Sequence, residues 1–271
     1  MQHFKRWLTA IILGPFVLWI LIKGNTIVFA ALVSAVALFA VREYLRIIFG
    51  TDEGPVSRTI GLISYSISLG LIMGASLGSW QVMFLCLTLN LMALAIFVLF
   101  RYASDKNIFN AITKQVLGMV YIPVPLALLI FLREMEGGAL WIIWALIVIF
   151  ANDTGAFYTG SFFGKRKLSP HISPNKTIEG SLGGIAVAMV AGFIFSLLFF
   201  NDFSLAVLTL PCSFLMAIAG QVGDLFESAM KRASKVKDSG RILPGHGGML
   251  DRIDGLLLAI PVHYVYLVFV V

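Results

Sequence analysis

The sequence predicts an all-α protein that is integral to a membrane and crosses it about nine times. Of the 271 residues, 59% are hydrophobic and only 13% are charged, which is too little charge to cover the surface of a water-soluble domain. The chain also divides into apolar runs close to the roughly 20 residues that a helix needs to cross a bilayer. Several runs are shorter, and Lys or Trp side chains at their ends can make up the difference.

Nine apolar runs are the candidate transmembrane helices. In chain order they are 7–22, 26–41, 60–78, 82–100, 116–132, 139–151, 185–200, 205–222 and 256–271. The third and fourth runs are continuous and too long for one crossing, so a turn is predicted at the uncharged residues 78–80.

Lys and Arg are distributed very unevenly between the connections. With nine spans, 18 of the 20 Lys and Arg residues lie on the side of the N-terminus, and only Lys23 and Arg133 lie on the other. Because cytoplasmic loops carry an excess of these residues, we expect a cytoplasmic N-terminus and a C-terminus on the opposite side. The net charge of +6 then attracts anionic lipid headgroups. No basic soluble domain is predicted, so nucleic acid is not an expected partner.

Polar sequence is concentrated in the second half of the chain. Residues 1–138 are predicted to form a scaffold of transmembrane helices 1–5 with short, ordinary connections. Residues 139–271 are predicted to carry helices 6–9 and two long polar connections on the cytoplasmic face, 152–184 and 223–255. Any chemistry is expected in these two connections.

The first polar connection begins with Asn152 and Asp153, directly after an apolar run that is short for a span. If the helix continues through Phe163, Asp153 lies in the cytoplasmic half of the membrane. An ionised carboxylate there costs roughly 2.5–3.5 kcal/mol and needs a cation or a water-filled cavity. If the helix instead ends at the headgroups, Asp153 is simply solvated.

The later part of this connection, "SPHISPNKT", predicts a stiff and extended segment. Pro170 and Pro174 restrict the backbone and present Lys176 at a defined place. Thr177 and Glu179 then indicate the start of a helix, where backbone N–H groups and the helix dipole suit an anion.

The second polar connection begins inside a helix, because the helical pattern of the eighth run continues through "GDLFESAMKR". Asp224, Ser228 and Lys231 are spaced i, i+4 and i+7 and therefore share one face, with Glu227 and Arg232 alongside. One interpretation is a solvated amphipathic extension with ordinary ion pairs. The other is a functional stripe that is acidic near the membrane and basic further out.

Residues 231–254 hold nine of the 34 charged residues of the chain. The turn "PGHGG" lets the backbone approach a ligand closely, and Asp251 and Asp254 follow it with Arg252 between them. Asp224 and Asp251 thus each lie where a helix is expected to enter the membrane. Carboxylates in such surroundings suit Mg²⁺, which takes further ligands from substrate phosphates, while Lys and Arg neutralise the remaining phosphate charge.

Residues 228–254, "SAMKRASKVKDSGRILPGHGGMLDRID", resemble the signature of the phosphatidate cytidylyltransferases, also called CDP-diacylglycerol synthases. Residues 152–180 are similar to a second characteristic stretch of that family. The resemblance implies that CTP and phosphatidic acid are the substrates and that CDP-diacylglycerol and pyrophosphate are the products. It also implies a Mg²⁺-dependent membrane homodimer, K⁺ as a further ion, and Asp224 and Asp251 as metal ligands.

The other candidate site residues follow from this reaction. A phosphate nucleophile needs no strong base, but it needs positioning and charge neutralisation. The residues expected to position phosphate groups are Lys176, Lys231, Arg232, Lys237 and Arg252. The residues expected to orient these side chains or the substrates are Asp153, Asp238 and Asp254. His246 is included because the signature contains it, although a lone His in a Gly-rich turn is more often a structural hydrogen-bonding group than a metal ligand.

Two alternatives remain at this stage. A CTP-dependent lipid kinase would use the same nucleotide, but it would need a base for an alcohol, such as Asp153 or Asp238, and would release CDP. A transporter or channel would distribute acidic residues through its spans, whereas none of the first five runs contains one. The expected location is the inner (cytoplasmic) membrane of the cell, with the site facing the cytoplasm.

Overall fold

A computed structural model describes residues 14–50, 54–240, 242 and 247–271. This part of the chain forms helices and one small two-stranded sheet. In order they are α1 (Gly14–Lys23), α2 (Thr26–Phe49), α3 (Pro55–Ser76), α4 (Trp80–Arg101), α5 (Ile108–Tyr121), α6 (Pro123–Glu134), α7 (Gly138–Phe163), β1 (Lys167–Ser169), β2 (Ser173–Thr177), α8 (Ile178–Phe199), α9 (Phe203–Ala233) and α10 (Leu250–Val270).

The predicted class, an all-α polytopic membrane protein, is confirmed. Within the described residues, eight helical segments are long and apolar enough to cross a membrane, and α1 is a shorter apolar helix. The second to ninth predicted runs each overlap one of these eight segments, and the first run extends outside the described residues. Which side of the membrane holds each terminus stays a prediction.

The chain divides into two compact units. Unit 1 consists of Met1–Glu134 and Ser234–Arg252, and unit 2 consists of Met135–Ala233 and Ile253–Val271. Helix α10 therefore begins in unit 1 and continues in unit 2. The functional division predicted at residue 138 concerns where the chemistry lies, and it stays a prediction.

In unit 1 the predicted turn between the third and fourth runs is present. Gly78 has a φ of +64°, and Ser79 caps α4 by accepting a hydrogen bond from the N–H of Val82 at 3.3 Å. The predicted fifth run is broken into α5 and α6, because Pro123 has no N–H to continue the helical ladder. The N–H of Ile122 still donates to Gly118 O at 3.0 Å, so the two helices form one candidate span, Ile108–Glu134.

A buried polar network joins three helices of unit 1. The amide groups of Gln115 on α5 and Asn90 on α4 exchange hydrogen bonds of 3.0 and 3.3 Å. Gln115 also donates to Ser64 Oγ on α3 at 3.1 Å. All three side chains are buried, so their mutual hydrogen bonds offset the cost of removing them from water.

In unit 2, α8 packs closely along α7. A Cβ atom at Gly184 would lie 2.6 Å from the carbonyl oxygen of Asn152, and one at Gly180 would lie 2.7 Å from that of Ala156. Larger residues would push the helices apart, and such small residues are typical of close contacts between membrane helices. Trp144, which is fully buried, adds a hydrogen bond from Nε1 to Gly192 O at 2.9 Å.

The two polar connections are largely helical. Helix α7 continues through Phe163 and α9 through Ala233, which decides against a helix that ends before Asp153. The extended segment predicted around Pro170 and Pro174 is an antiparallel hairpin in which Lys167 pairs with Thr177 and Ser169 with Ser173. The hairpin adds a small strand component to the predicted all-α fold.

Candidate active site

A cavity of about 540 Å³ lies in unit 2, where the hairpin meets the polar parts of three helices. Its wall includes Asp153 from α7, Lys176 from β2, Ser181 from α8, and Gln221 and Asp224 from α9. Apolar side chains such as Phe157 complete the lining. A cavity with a few convergent polar groups in an otherwise apolar wall is the usual form of a small-molecule site.

The central charged contact in this cavity joins two predicted site residues. Lys176 Nζ lies 2.5 Å from Asp224 Oδ2, and the two side chains are 30% and 35% exposed. Ser228 Oγ donates to the other carboxylate oxygen of Asp224 at 3.4 Å, as expected from their i, i+4 spacing. The ion pair thus places a lysine, which can bind phosphate, beside a carboxylate, which can bind a metal ion, inside one cavity.

Two further carboxylates are near enough to Asp224 to interact with its charge. Those of Asp153 and Asp254 both interact electrostatically with it. Helices α9 and α10 approach closely here, since a Cβ atom at Gly223 would lie 2.4 Å from the carbonyl oxygen of Asp254. The structure therefore brings Asp153, Asp224 and Asp254 into one acidic region, with Lys176 as its partner.

Lys231 adds a second cation to this region. It interacts electrostatically with Asp254 and forms an ion pair with Glu227, one turn earlier on α9. Glu227 is fully buried, so the pair fixes the lysine side chain against the helix. The predicted stripe on α9 is thus more than a solvated extension.

An amide network at the edge of the cavity has no counterpart in the sequence prediction. Asn152 is fully buried, and its Oδ1 accepts a hydrogen bond from Gln221 Nε2 at 2.9 Å. Gln221 Nε2 also donates to Ser181 O at 3.0 Å, while its Oε1 accepts from Ser181 Oγ. The sequence does indicate this network by one feature, a Gln inside the apolar eighth run, because polar side chains within spans usually have a function.

The hairpin that carries Lys176 is fixed at several points. Glu179 accepts hydrogen bonds from the backbone N–H groups of Lys165 and Arg166 at 3.0 and 3.1 Å and forms a 3.1 Å ion pair with Arg166 Nε. Arg232 donates from Nε to Ile172 O at 3.3 Å, so this predicted phosphate ligand contacts the hairpin backbone. These contacts hold Lys176 at the cavity.

The predicted helix start at Thr177 is present as the start of α8. Thr177 Oγ1 caps the helix by accepting from the N–H of Gly180 at 3.1 Å, and the N–H of Ile178 donates to Arg166 O at 2.9 Å. Both N–H groups already have acceptors within the protein. The structure therefore gives no support to an anion at these two groups.

The remaining candidate residues belong to unit 1. Lys237, Asp238 and Arg252 are exposed. Asp251 is partly buried, and its carboxylate accepts hydrogen bonds from the backbone N–H groups of Ser239 and Gly248 at 3.1 and 2.9 Å. His246 lies outside the described residues.

Comparisons with known proteins decide the family. A sequence model described as the cytidylyltransferase family matches residues 4–270. The chain belongs to the cytidylyltransferase family. This confirms the family resemblance of residues 152–180 and 228–254 and extends it over the N-terminal half.

Individual members of the cytidylyltransferase family are similar over most or part of the chain. A protein named phosphatidate cytidylyltransferase from Staphylococcus aureus (strain COL) is 36% identical over 267 residues, covering 97% of this chain and 98% of the relative. The protein of that name from Staphylococcus haemolyticus (strain JCSC1435) gives the same identity and coverage. That from Bacillus subtilis (strain 168) is 44% identical over 163 residues, or 58% of each chain.

The acidic region of this cytidylyltransferase fits the Mg²⁺ that the family resemblance implies. No group of three or more His, Cys, Asp or Glu side chains in the described part of the chain is close enough to hold a metal by itself. Mg²⁺ is usually held by one or two carboxylates together with substrate phosphates and waters. The carboxylate of Asp224 in the cavity wall is a hard oxygen ligand of this kind.

Proposed function

We propose that the protein transfers a cytidylyl group from CTP to phosphatidic acid, giving CDP-diacylglycerol and pyrophosphate. Besides family membership, one observation carries this proposal: the Lys176–Asp224 pair lies in a cavity of about 540 Å³ at the polar ends of apolar helices. Such a cavity offers a positive charge for the phosphates of a nucleotide and a negative charge for the metal ion that accompanies them. Its place on helices long enough to span a membrane suits a second substrate that is a lipid.

In this reaction a phosphate oxygen of phosphatidic acid forms a bond to the α-phosphorus of CTP. The bond from that phosphorus to the oxygen bridging the β-phosphorus breaks, and its electron pair leaves with pyrophosphate. The attacking phosphate is largely ionised at neutral pH, because its second pKa is about 6. No proton has to be removed by a strong base, so carboxylates and lysines are sufficient protein groups.

The residues of the chain have distinct proposed roles. Lys176 and Lys231 offset the repulsion between the two anionic substrates and orient the phosphates. Arg232 holds the hairpin and, with Lys237 and Arg252, contributes positive charge toward the same phosphates.

The carboxylates are proposed to serve the metal and the lysines. Asp224 and Asp251 would hold Mg²⁺, which would supply neutralisation of charge on the leaving pyrophosphate. Asp153 and Asp254 orient the lysines and Asp224 through the electrostatic interactions of the acidic region. Asp238 and His246 are proposed site residues on the ground of the signature alone.

We further propose a multi-pass protein of the cell membrane that works as a homodimer, with K⁺ as a further ion. The active site faces the cytoplasm in this proposal. The distribution of 18 of the 20 Lys and Arg residues on one side of nine spans supports that orientation. CTP would then reach the site from the cytoplasm and phosphatidic acid from the bilayer.

Product analysis with the purified full-length protein tests the proposed reaction. Detergent micelles containing phosphatidic acid are incubated with Mg²⁺ and CTP labelled in the cytosine ring. We expect labelled CDP-diacylglycerol and an equal amount of pyrophosphate. Release of CDP would instead indicate a lipid kinase, and absence of a metal-dependent lipid product in several detergents would refute the proposal.

Asp224→Asn tests the role of the acidic region with little change in shape. We expect a loss of transfer activity of about 100-fold or more, because an interaction with developing charge is typically worth that much. Asp202→Asn is the matched control, since Asp202 lies at the opposite end of the same helix, where its carboxylate caps the N–H of Leu205 at 3.1 Å. Near-normal activity and Mg²⁺ dependence of Asp224→Asn would contradict the assignment.

A further inference from the structure

A buried acidic residue of unit 1 contacts the signature segment from a distant part of the sequence. Glu43 lies on α2 and is only 3% exposed. Its Oε2 accepts a hydrogen bond from the N–H of Leu250 at 2.8 Å and another from Ser239 Oγ at 3.0 Å. These partners follow it by 207 and 196 positions in the chain, so α2 is tied to both ends of residues 239–250.

Two glycines of the signature leave room for this carboxylate. A Cβ atom at Gly240 would lie 2.1 Å from Glu43 Oε1, and the three nearest atoms to it all belong to Glu43. A Cβ atom at Gly248 would lie 2.5 Å from Glu43 Oε2 and 1.9 Å from Ser239 Oγ. No side chain fits at either position, so the backbone at Gly240 and at Gly248 lies directly against the Glu43 side chain.

The same short segment also holds Asp251, a proposed metal ligand. Ser239 donates its hydroxyl group to Glu43 and its backbone N–H to Asp251. Gly248 donates its N–H to Asp251 while its α-carbon packs against Glu43. Ser239 and Gly248 therefore connect the carboxylates of Glu43 and Asp251, and a movement of Glu43 would be transmitted to Asp251.

Burial of the Glu43 carboxylate costs free energy unless hydrogen bonds to its oxygens compensate for the lost contact with water. A buried carboxylate destabilises the fold when its oxygens lack hydrogen bonds, and Oε1 has no donor among the residues that the structure describes. Oε2 does have two donors, one of which belongs to the first turn of α10, where a negative charge also complements the helix dipole. An apolar side chain at position 43 could be buried at a lower cost in free energy, but it could not accept the hydrogen bonds from Ser239 and Leu250.

We propose that Glu43 is a positioning residue of the transferase, which fixes Ser239, Gly248 and Leu250 and through them the carboxylate of Asp251. The inference rests on the proposed function for its catalytic consequence, but the anchoring itself is independent of it. Glu43 belongs to the part of the chain expected to be a scaffold, so this role extends the site machinery into α2. Partners of this kind typically contribute about 10- to 100-fold to metal affinity or activity.

Glu43→Ala in the full-length protein tests the anchoring in two ways. Hydrogen–deuterium exchange of residues 239–251 should become faster, because the N–H of Leu250 and the hydroxyl group of Ser239 lose their acceptor. The kcat of transfer should fall about 10- to 100-fold, with a smaller change in the KM for CTP. Glu43→Asp keeps the charge on a shorter side chain and should restore part of both properties.

Gln115→Leu is the matched control for general destabilisation of unit 1. It removes a buried side chain whose three hydrogen bonds join it to Asn90 and Ser64 and not to Glu43 or its partners. It should lower the unfolding temperature while exchange of residues 239–251 and kcat stay at wild-type values. Equal effects of Gln115→Leu and Glu43→Ala on exchange and kcat would overturn the positioning role.

A double-mutant cycle gives an independent test. Gly240→Ala should impair exchange protection and kcat in the wild-type background, because its methyl group meets the Glu43 carboxylate. In the Glu43→Ala background the same substitution should have little further effect. Additive losses would refute the contact.

The two proposals fail in different ways. A wild-type protein that makes no CDP-diacylglycerol refutes the function, while exchange still reports on the anchoring. An active wild type whose Glu43→Ala variant keeps both kcat and exchange protection refutes the role of Glu43 alone.

Discussion

Replacement of Gln221 by Leu is expected to destabilise unit 2 and to disturb the cavity. The substitution removes two donated hydrogen bonds, to Asn152 Oδ1 at 2.9 Å and to Ser181 O at 3.0 Å, each worth about 1 kcal/mol net. It also leaves Asn152, which is fully buried, without this donor, at a cost of about 1–3 kcal/mol. The expected loss in the free energy of unfolding is therefore about 3–5 kcal/mol.

The same substitution should reduce transfer activity by at least about tenfold, because small displacements of reacting groups have large effects on rate. Asn152 Nδ2 donates to Asp153 Oδ1 at 3.4 Å. If Asn152 moves after the loss of Gln221, it should therefore also displace the carboxylate of Asp153 in the cavity wall. Unfolding in detergent gives the stability, and CDP-diacylglycerol formation well below the unfolding temperature gives the activity.

Gln115→Leu serves as the comparison for Gln221→Leu, since it removes an amide with similar contacts from unit 1 and should affect only stability. A Gln221→Leu protein with wild-type stability would refute the energetic argument. One with reduced stability but full activity would refute the link from the amide network to Asp153.

Three further predictions concern the cap of α8, the cavity lysine and the membrane orientation. Thr177→Ala should lower the free energy of unfolding by about 1 kcal/mol, whereas Thr177→Ser should keep the cap; chemical unfolding measures both. Lys176→Met should raise the KM for CTP about 10- to 100-fold, whereas Lys165→Met, which removes the same charge outside the cavity lining, should not. In a background without the two native cysteines, an impermeant thiol reagent should label Lys106→Cys only from the cytoplasm and Glu136→Cys only from the other side; the reverse pattern would invert the topology.

The helices could be predicted from the sequence because a bilayer imposes a simple requirement on the backbone. Each spanning segment must satisfy its own N–H and C=O groups, so apolar length alone identifies a helix. The predicted runs are nevertheless shorter than the helices where charge begins. The predicted second run ends before Glu43, although α2 continues to Phe49, so the sequence does not indicate Glu43 as a candidate site residue.

The hairpin and the long-range contacts could not be predicted in the same way. β2 reads "SPNKT" and has no alternation of apolar and polar residues, so its pairing depends on the anchors at Glu179 and Arg232 rather than on its own pattern. The contact from Gln221 to Asn152 joins residues 69 positions apart. Periodicity reports which residues share a face of one helix, but it does not report which face of another helix they meet.

The length of α9 has a consequence for how a lipid substrate is handled. The helix has 31 residues and is therefore about 46 Å long, whereas the hydrocarbon layer is about 30 Å thick. With Phe203 at one boundary of that layer, an upright α9 reaches the other boundary near Asp224, and Lys231 lies about 10 Å further out. In that placement the length of the helix would put the cavity at the level of the lipid phosphates. A substrate could react there with its acyl chains still in the bilayer, so no energy would be needed to extract it.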